Sequence, residues 1–123
     1  MANANQQIGY KFEDLGAQHL VDHGYKILAK NYRCRYGEID IIAQNKNTLV
    51  FVEVKFRSQQ DFGNALQMVT PSKQRKIIHT AQHYLQKNRR LNYLDGRFDV
   101  VGITQKDADE SLEIEWIQGA FTI

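Results

Sequence analysis

Cysteine is nearly absent from this chain. Cys34 is the only one in 123 residues, which excludes a disulfide framework and a thiolate zinc site and suits a reducing compartment. Proline is as scarce, Pro71 being the only one, and no linker, repeat or low-complexity segment divides the sequence. No run approaches the ~20 consecutive apolar residues of a membrane span. The opening Met-Ala-Asn-Ala-Asn-Gln-Gln lacks the basic patch and apolar core of a signal peptide. These absences lead us to expect a cytoplasmic protein with no membrane partner. A large excess of one charge is missing too: the net charge is +2.

What is present is an ordinary globular composition, 42% apolar and 24% charged, which argues against disorder. At this length residues 1–123 form one expected domain, able to bury a core without a metal or disulfide staple. Charge is unevenly placed, because Lys73 to Arg90 holds six of the sixteen Lys and Arg residues and no acid.

The most hydrophobic stretch is Leu49 to Arg57, whose β-branched density predicts a strand after the turn at Asn45 to Asn47. Alternation puts Val50, Val52, Val54 and Phe56 on one face, and Phe51, Glu53, Lys55 and Arg57 on the other. A carboxylate and an ammonium thus stand side by side where an unpartnered ion costs several kcal/mol.

Along the chain, Ile8 to His23 reads as a helix. At about 100° per residue Ile8, Phe12, Leu15, Gly16, His19 and Leu20 gather on one arc with Glu13 at its rim, and Gly24 suits the cap. Tyr25 to Arg33 reads as a strand, and Tyr36-Gly37 turns into a second over Glu38 to Gln44, where Glu38, Asp40 and Ile42 alternate with Ile39, Ile41 and Ala43. With the Leu49 strand these make an antiparallel meander, in which Asp40 and Glu53 lie on neighbouring strands, close enough to share an ion if they project from one face. Ser58 to Met68 reads as a loop or a short irregular turn. Thr70-Pro71 opens a second helix to about Asn88, with Ile77, Ile78, Ala81, Tyr84 and Leu85 as its buried stripe and Lys73 in line with them, leaning toward the sheet. Two strands follow, Arg97 to Ile103 and Leu112 to Ile117, around an acidic turn at Gln105 to Glu110. The fold class is α/β (α+β), a mixed sheet flanked by helices.

Carboxylates converging from adjacent strands form a hard-oxygen site suited to Mg²⁺, and a neighbouring lysine can neutralise charge on a reacting phosphate. Each residue has a plainer reading. Glu53 and Lys55 can be a solvated pair worth a few tenths of a kcal/mol. Glu13 can be a solvated rim residue, Asp40 competes with Glu38, Lys73 can be an exposed first-turn residue, and Asp99 can pair with Arg97 on its own strand.

The combination Asp40-x(12)-Glu53-Val54-Lys55, with a glutamate on the preceding helix and an inward lysine on the following one, resembles the PD-(D/E)xK nuclease superfamily. Within it the chain is most similar to the uncharacterised bacterial YraN-like family, itself similar to archaeal Holliday-junction resolvases. The stretches Gly9-x(3)-Glu13-x(3)-Ala17, Asn31-Tyr32-Arg33, Gly37-Glu38-Ile39-Asp40, Phe51 to Arg57, Phe62-Gly63, Lys73 and Arg97 to Val101 carry the likeness. It implies a restriction-endonuclease-like αβββαβ core, Asp40 and Glu53 as ligands of Mg²⁺ or Mn²⁺, Lys55 as the catalytic lysine and Glu13 as an accessory acid. It also implies a two-fold dimer suited to four-way junctions.

Two functions therefore compete. One is a metal-dependent endonuclease acting on structured or branched DNA, with Lys73, Arg75, Lys76, Arg89 and Arg90 as the nucleic-acid-binding cations. The other is a module on the same scaffold that binds nucleic acid or protein without cutting.

Overall fold

The computed structural model describes residues 4–58, 64–105 and 111–122. The Phe62-Gly63 motif, the side chain of Ile8 and most of the expected acidic turn after Gln105 lie outside the described residues.

Helix α1 (Ala4–Asp22) is followed by three strands, β1 (Lys26–Cys34), β2 (Gly37–Asn45) and β3 (Thr48–Ser58). A 3₁₀ turn at Ala65–Met68 leads into helix α2 (Pro71–Lys87), and strands β4 (Asp95–Gln105) and β5 (Leu112–Phe121) complete the order. The five strands form one sheet in sequence order, with β1, β2 and β3 antiparallel, β4 parallel to β3, and β5 antiparallel to β4. This is a mixed sheet of the α+β class, consistent with a restriction-endonuclease-like core. Among the described residues no helix is long and apolar enough to cross a membrane.

Local chemistry sets the helix ends. Gly24 takes φ +91° beyond α1, and the Gly24 and Tyr25 amides close back on the Val21 and Leu20 carbonyls at 3.0 Å each. Thr70 caps α2 by accepting from the Lys73 amide at 3.2 Å, with Pro71 in the first turn where its missing N–H is harmless. Helix α1 begins four residues before the expected Ile8, because the apolar arc starts at Ile8 while the polar residues ahead of it include no helix breaker.

Each helix covers one face of the sheet. Phe12, Ala17 and Leu20 of α1 pack with Ile41, Val50, Val52, Val101 and Ile103. Ile77, Ala81 and Tyr84 of α2 pack with Ile42, Leu49, Phe51, Phe98 and Val100 on the other side. Thr80, absent from the expected stripe, is also buried and hydrogen-bonds the Lys76 carbonyl one turn back at 2.7 Å. Gly16 allows α1 to lie close on β3, since a Cβ there would stand 3.1 Å from a Val54 methyl.

The regular alternation expected for β2 does not hold. Ile39 packs on the α2 side and Ile41 on the α1 side, although they are two residues apart. The change falls at Asp40 and opposite it on β1. Asn31 has φ +54°, and pairing runs from Lys30↔Ile41 to Tyr32↔Ile39 with Asn31 and Asp40 left out of the ladder. A left-handed residue inside a strand rotates the faces of its neighbours, and asparagine accepts that conformation better than most residues.

Strands β4 and β5 are longer than expected and are joined across a bulge. Pairing passes from Val100↔Ile117 to Phe98↔Phe121, so β5 carries two extra residues opposite Asp99. The fully buried Asp99 carboxylate organises this bulge. It accepts from Arg97 Nε and Nη2 at 2.9 Å each, from Trp116 Nε1 at 2.9 Å and from the Gly119 amide at 3.0 Å. Its pairing with Arg97 agrees with the plainer reading of these residues, and the charge-assisted donors compensate its burial.

Candidate active site

The site forms where β2 and β3 separate. Their ladder runs from Asn45↔Thr48 to Ile41↔Val52, and one step further Asp40 faces Glu53. There a side chain takes over from the backbone: the Val54 amide donates to Asp40 Oδ2 at 2.8 Å. The opening is a cavity of about 320 Å³ lined by Phe12 and Glu13 from α1, Glu38 and Asp40 from β2, and Glu53 to Phe56 from β3.

Four carboxylates meet in it. Oxygens of Glu13, Glu38 and Asp40 lie within 4.8 Å of one another, a spacing that lets one cation reach all three. Glu53 is the immediate neighbour of Asp40. Burial first, then a hydrogen bond to Glu53 and the Glu53 charge, push Asp40 up to about 8, against the opposing pull of the Val54 amide and Lys55. Glu13 is raised as well, by burial and then by the Asp40 charge, while Asn31 works the other way. Such crowding is unfavourable without a counter-charge. Among the described residues Glu13 Oε2 and Asn31 Oδ1 are buried with no hydrogen-bond partner. Acceptors left unsatisfied beside clustered carboxylates fit a hard divalent cation.

Two ammonium groups border the acids. Lys55 follows Glu53 on the same face of β3, and Lys73 reaches in from the first turn of α2. Contact with Lys55 is the main cause that lowers the Lys73 pKa, with burial adding to it and Glu53 and Asp40 opposing it. Lys73 thus leans toward the sheet although the residue as a whole is exposed. At the mouth, Phe56 is 41% exposed and stacks on Phe12 with ring centroids 4.3 Å apart.

The structure therefore brings together Glu13, Asp40, Glu53, Lys55 and Lys73. Arg75, Lys76, Arg89 and Arg90 lie outside this cavity as exposed residues of α2 and of the turn beyond it. Two participants do not stand out in the sequence. Glu38, treated as a competitor of Asp40, joins the same cluster while also holding Arg33 Nε at 3.0 Å. Asn31 enters the sequence reading only within the Asn31-Tyr32-Arg33 motif, and the signal it offers is an asparagine set inside a strand pattern.

The fold and site together define an α+β protein with an acidic, lysine-bordered cavity in a split sheet. The chain belongs to the Uncharacterised protein family UPF0102, whose model matches residues 12–103. A UPF0102 protein of Saccharophagus degradans is 50% identical over 123 residues, covering 100% of this chain and 98% of the relative. One from Vibrio parahaemolyticus is 44% identical over 119 residues, covering 97% and 95%, and one from Coxiella burnetii is 42% identical over 123 residues, covering 100% and 98%. Among solved structures, Pyrococcus furiosus SfsA in complex with Ca²⁺ aligns with 93% of this chain and 63% of that one, at 12% identity and a TM-score of 0.35.

Proposed function

We propose that this protein is a divalent-metal-dependent endonuclease of the PD-(D/E)xK type, related to the YraN-like family and acting in the cytoplasm on structured or branched DNA. The observation that carries the reading is the meeting of Asp40, Glu53 and Glu13 with Lys55 in one cavity, with Lys73 against Lys55 beside it.

Asp40 and the adjacent Glu53 would hold Mg²⁺ or Mn²⁺, and Glu13 and Glu38, whose oxygens lie within 4.8 Å of that of Asp40, would offer further ligands. When bound, the ion supplies Lewis acidity toward water and a phosphodiester oxygen. In the hydrolysis a water oxygen bonds to phosphorus as its proton passes to a carboxylate, and the ester oxygen leaves with the shared electron pair and takes a proton from solvent water to become the alcohol. Lys55 faces the negative charge that builds on the phosphoryl oxygens, where a fixed cation stabilises the transition state more than the ground state. Lys73 adds a second cation beside it. Glu13, across the cavity, orients the attacking water as the accessory acid. Arg75, Lys76, Arg89 and Arg90, which make no salt bridge among the described residues, contact the DNA backbone. A two-fold dimer would match the symmetry of a four-way junction.

That exposed basic face would serve equally in a module that binds nucleic acid without cutting, which is the second reading. The test is a cleavage panel of linear, flapped, single-stranded and four-way DNA with Mg²⁺ or Mn²⁺, alongside Glu53→Ala. We expect metal-dependent cleavage of structured DNA that disappears in the variant. DNA binding with no metal-dependent cleavage of any substrate would leave the binding module in its place.

A further inference from the structure

Beside the acidic cavity lies a second surface of different chemistry. Tyr36, at the turn between β1 and β2, is 38% exposed, yet its ring is held on several sides. His79 and His83 of α2 meet it edge-on, with centroids 5.6 and 6.4 Å away. The Arg35 guanidinium lies over the ring, 4.9 Å from its centroid, and Arg35 Nη2 donates to its hydroxyl at 2.7 Å, so a stacking base would take the opposite face or displace this flexible side chain. His83 is itself fixed by a 2.6 Å hydrogen bond between its Nδ1 and the Tyr32 hydroxyl. An exposed ring held in this way loses little entropy when something stacks on it.

Between Tyr36 and α2 lies a cavity of about 270 Å³ that includes Gln82 and Gln86. A neighbouring cavity of about 430 Å³ shares both glutamines and reaches Arg89 and Asn92. The two make one groove along α2, lined among the described residues by the Tyr36 ring, two imidazoles, three side-chain amides, Leu85 and Arg89, and by no carboxylate. At its other end the groove approaches the acidic cavity. Glu38, which lines that cavity, follows Tyr36 by two residues, a span of at most about 7 Å.

The geometry points to a binding track for unpaired nucleotides, in which a base stacks on Tyr36 while Gln82 and Gln86 meet base edges and Arg89 meets the backbone. The chemistry selects the unpaired form. A base within a duplex has both faces covered and its pairing edge occupied, whereas a free base offers a π-face and hydrogen-bonding edges together. Each glutamine amide both donates and accepts, so the track tolerates different bases. This inference rests on the nucleic-acid reading above and narrows its substrate to DNA carrying a single-stranded arm next to the scissile position.

The test measures binding in EDTA, apart from cleavage. A flapped DNA with 2-aminopurine as its first unpaired base and a blunt duplex of equal length are titrated with the full chain, Tyr36→Ala and Tyr36→Trp, after thermal melting has shown each variant folded. We expect preference for the flapped DNA, with a change in 2-aminopurine emission. Tyr36→Ala should lose that change and weaken flap binding about 10-fold with blunt-duplex binding unaltered, as expected for one lost stacking contact. Tyr36→Trp should restore both. Equal affinity of wild type for the two DNAs, or equal effects of Tyr36→Ala on both, would overturn the track. Failure of the nuclease reading is separate: flap-selective, Tyr36-dependent binding without cleavage removes that reading and leaves the track, and cleavage indifferent to Tyr36→Ala at sub-saturating DNA does the reverse.

Discussion

Asp40 is the residue on which the site turns. Its carboxyl replaces a backbone acceptor at the end of a ladder, closes on Val54, and stands against Glu53. Without a metal it is held at about 8 against an ordinary value of 3.8, so between those limits the folded chain keeps a proton that the unfolded chain has released. Stability of metal-free protein should therefore fall as pH rises through this window. Divalent metal needs the ionised carboxylates, so its stabilising effect should be larger at about pH 8.5 than at about pH 5. Thermal unfolding with and without Mn²⁺ checks both, and Asp40→Asn should flatten the pH slope and abolish the metal response. Lys55→Ala tests the chemistry itself: cleavage should drop ~100-fold or more while DNA affinity changes little. Wild-type-like cleavage by the purified variant would remove Lys55 from the mechanism. Asp99 is the opposite kind of residue, a buried carboxylate with every donor in place. Asp99→Ala strands the Arg97 charge and should lower stability by about 3 to 5 kcal/mol in denaturant titration.

Among the elements, β3 and the turn that precedes α2 matter most for the site. β3 carries core valines on one face and Glu53 and Lys55 on the other, so the strand that builds the core also sets charged groups in the cavity. The 3₁₀ turn at Ala65–Met68 is seated on β4 at Gly102, where a Cβ would come within 2.5 Å of the Ala65 Cβ. The Ala65 amide is fixed by Glu115 Oε1 at 2.9 Å, so the turn cannot simply retreat. Gly102→Ala should destabilise by about 1 to 3 kcal/mol through overpacking. Because this turn leads into α2, the variant should also disturb Lys73 and reduce cleavage at temperatures where it is still folded. Calorimetry paired with an activity assay reads both effects.

Over the whole molecule, cation placement matters more than the net charge of +2. The exposed basic residues of α2 and its following turn, set against the acidic cavity, make a surface with two electrostatic characters. Binding of DNA should weaken steeply with salt, and Arg75→Ala with Lys76→Ala, or Arg89→Ala with Arg90→Ala, should each reduce the slope of log affinity against log salt by up to about 2. Affinity measured by anisotropy that ignores both salt and these substitutions would remove this face from the interface.

Much of the architecture was legible in the chain alone. Thr70-Pro71 and Gly24 announced helix ends because capping is local chemistry, and the Leu49 strand announced both its faces because alternation is a property of the backbone. The same periodicities put Lys73 in line with the inward stripe and Glu13 at the rim of α1. Glu38, Asn31 and the Trp116 and Gly119 contacts to Asp99 were not legible, because each depends on register between segments distant in sequence. The expected alternation of β2 fails where the ladder with β1 is interrupted, at Asp40 opposite the left-handed Asn31, again a matter of pairing between strands. By itself the sequence determined which residues could become core, cap or candidate ligand, since those choices follow from side-chain chemistry and short-range spacing. Only the tertiary structure decided which carboxylates share one cavity. That depends on where β2 and β3 part and on how closely α1 lies across the gap.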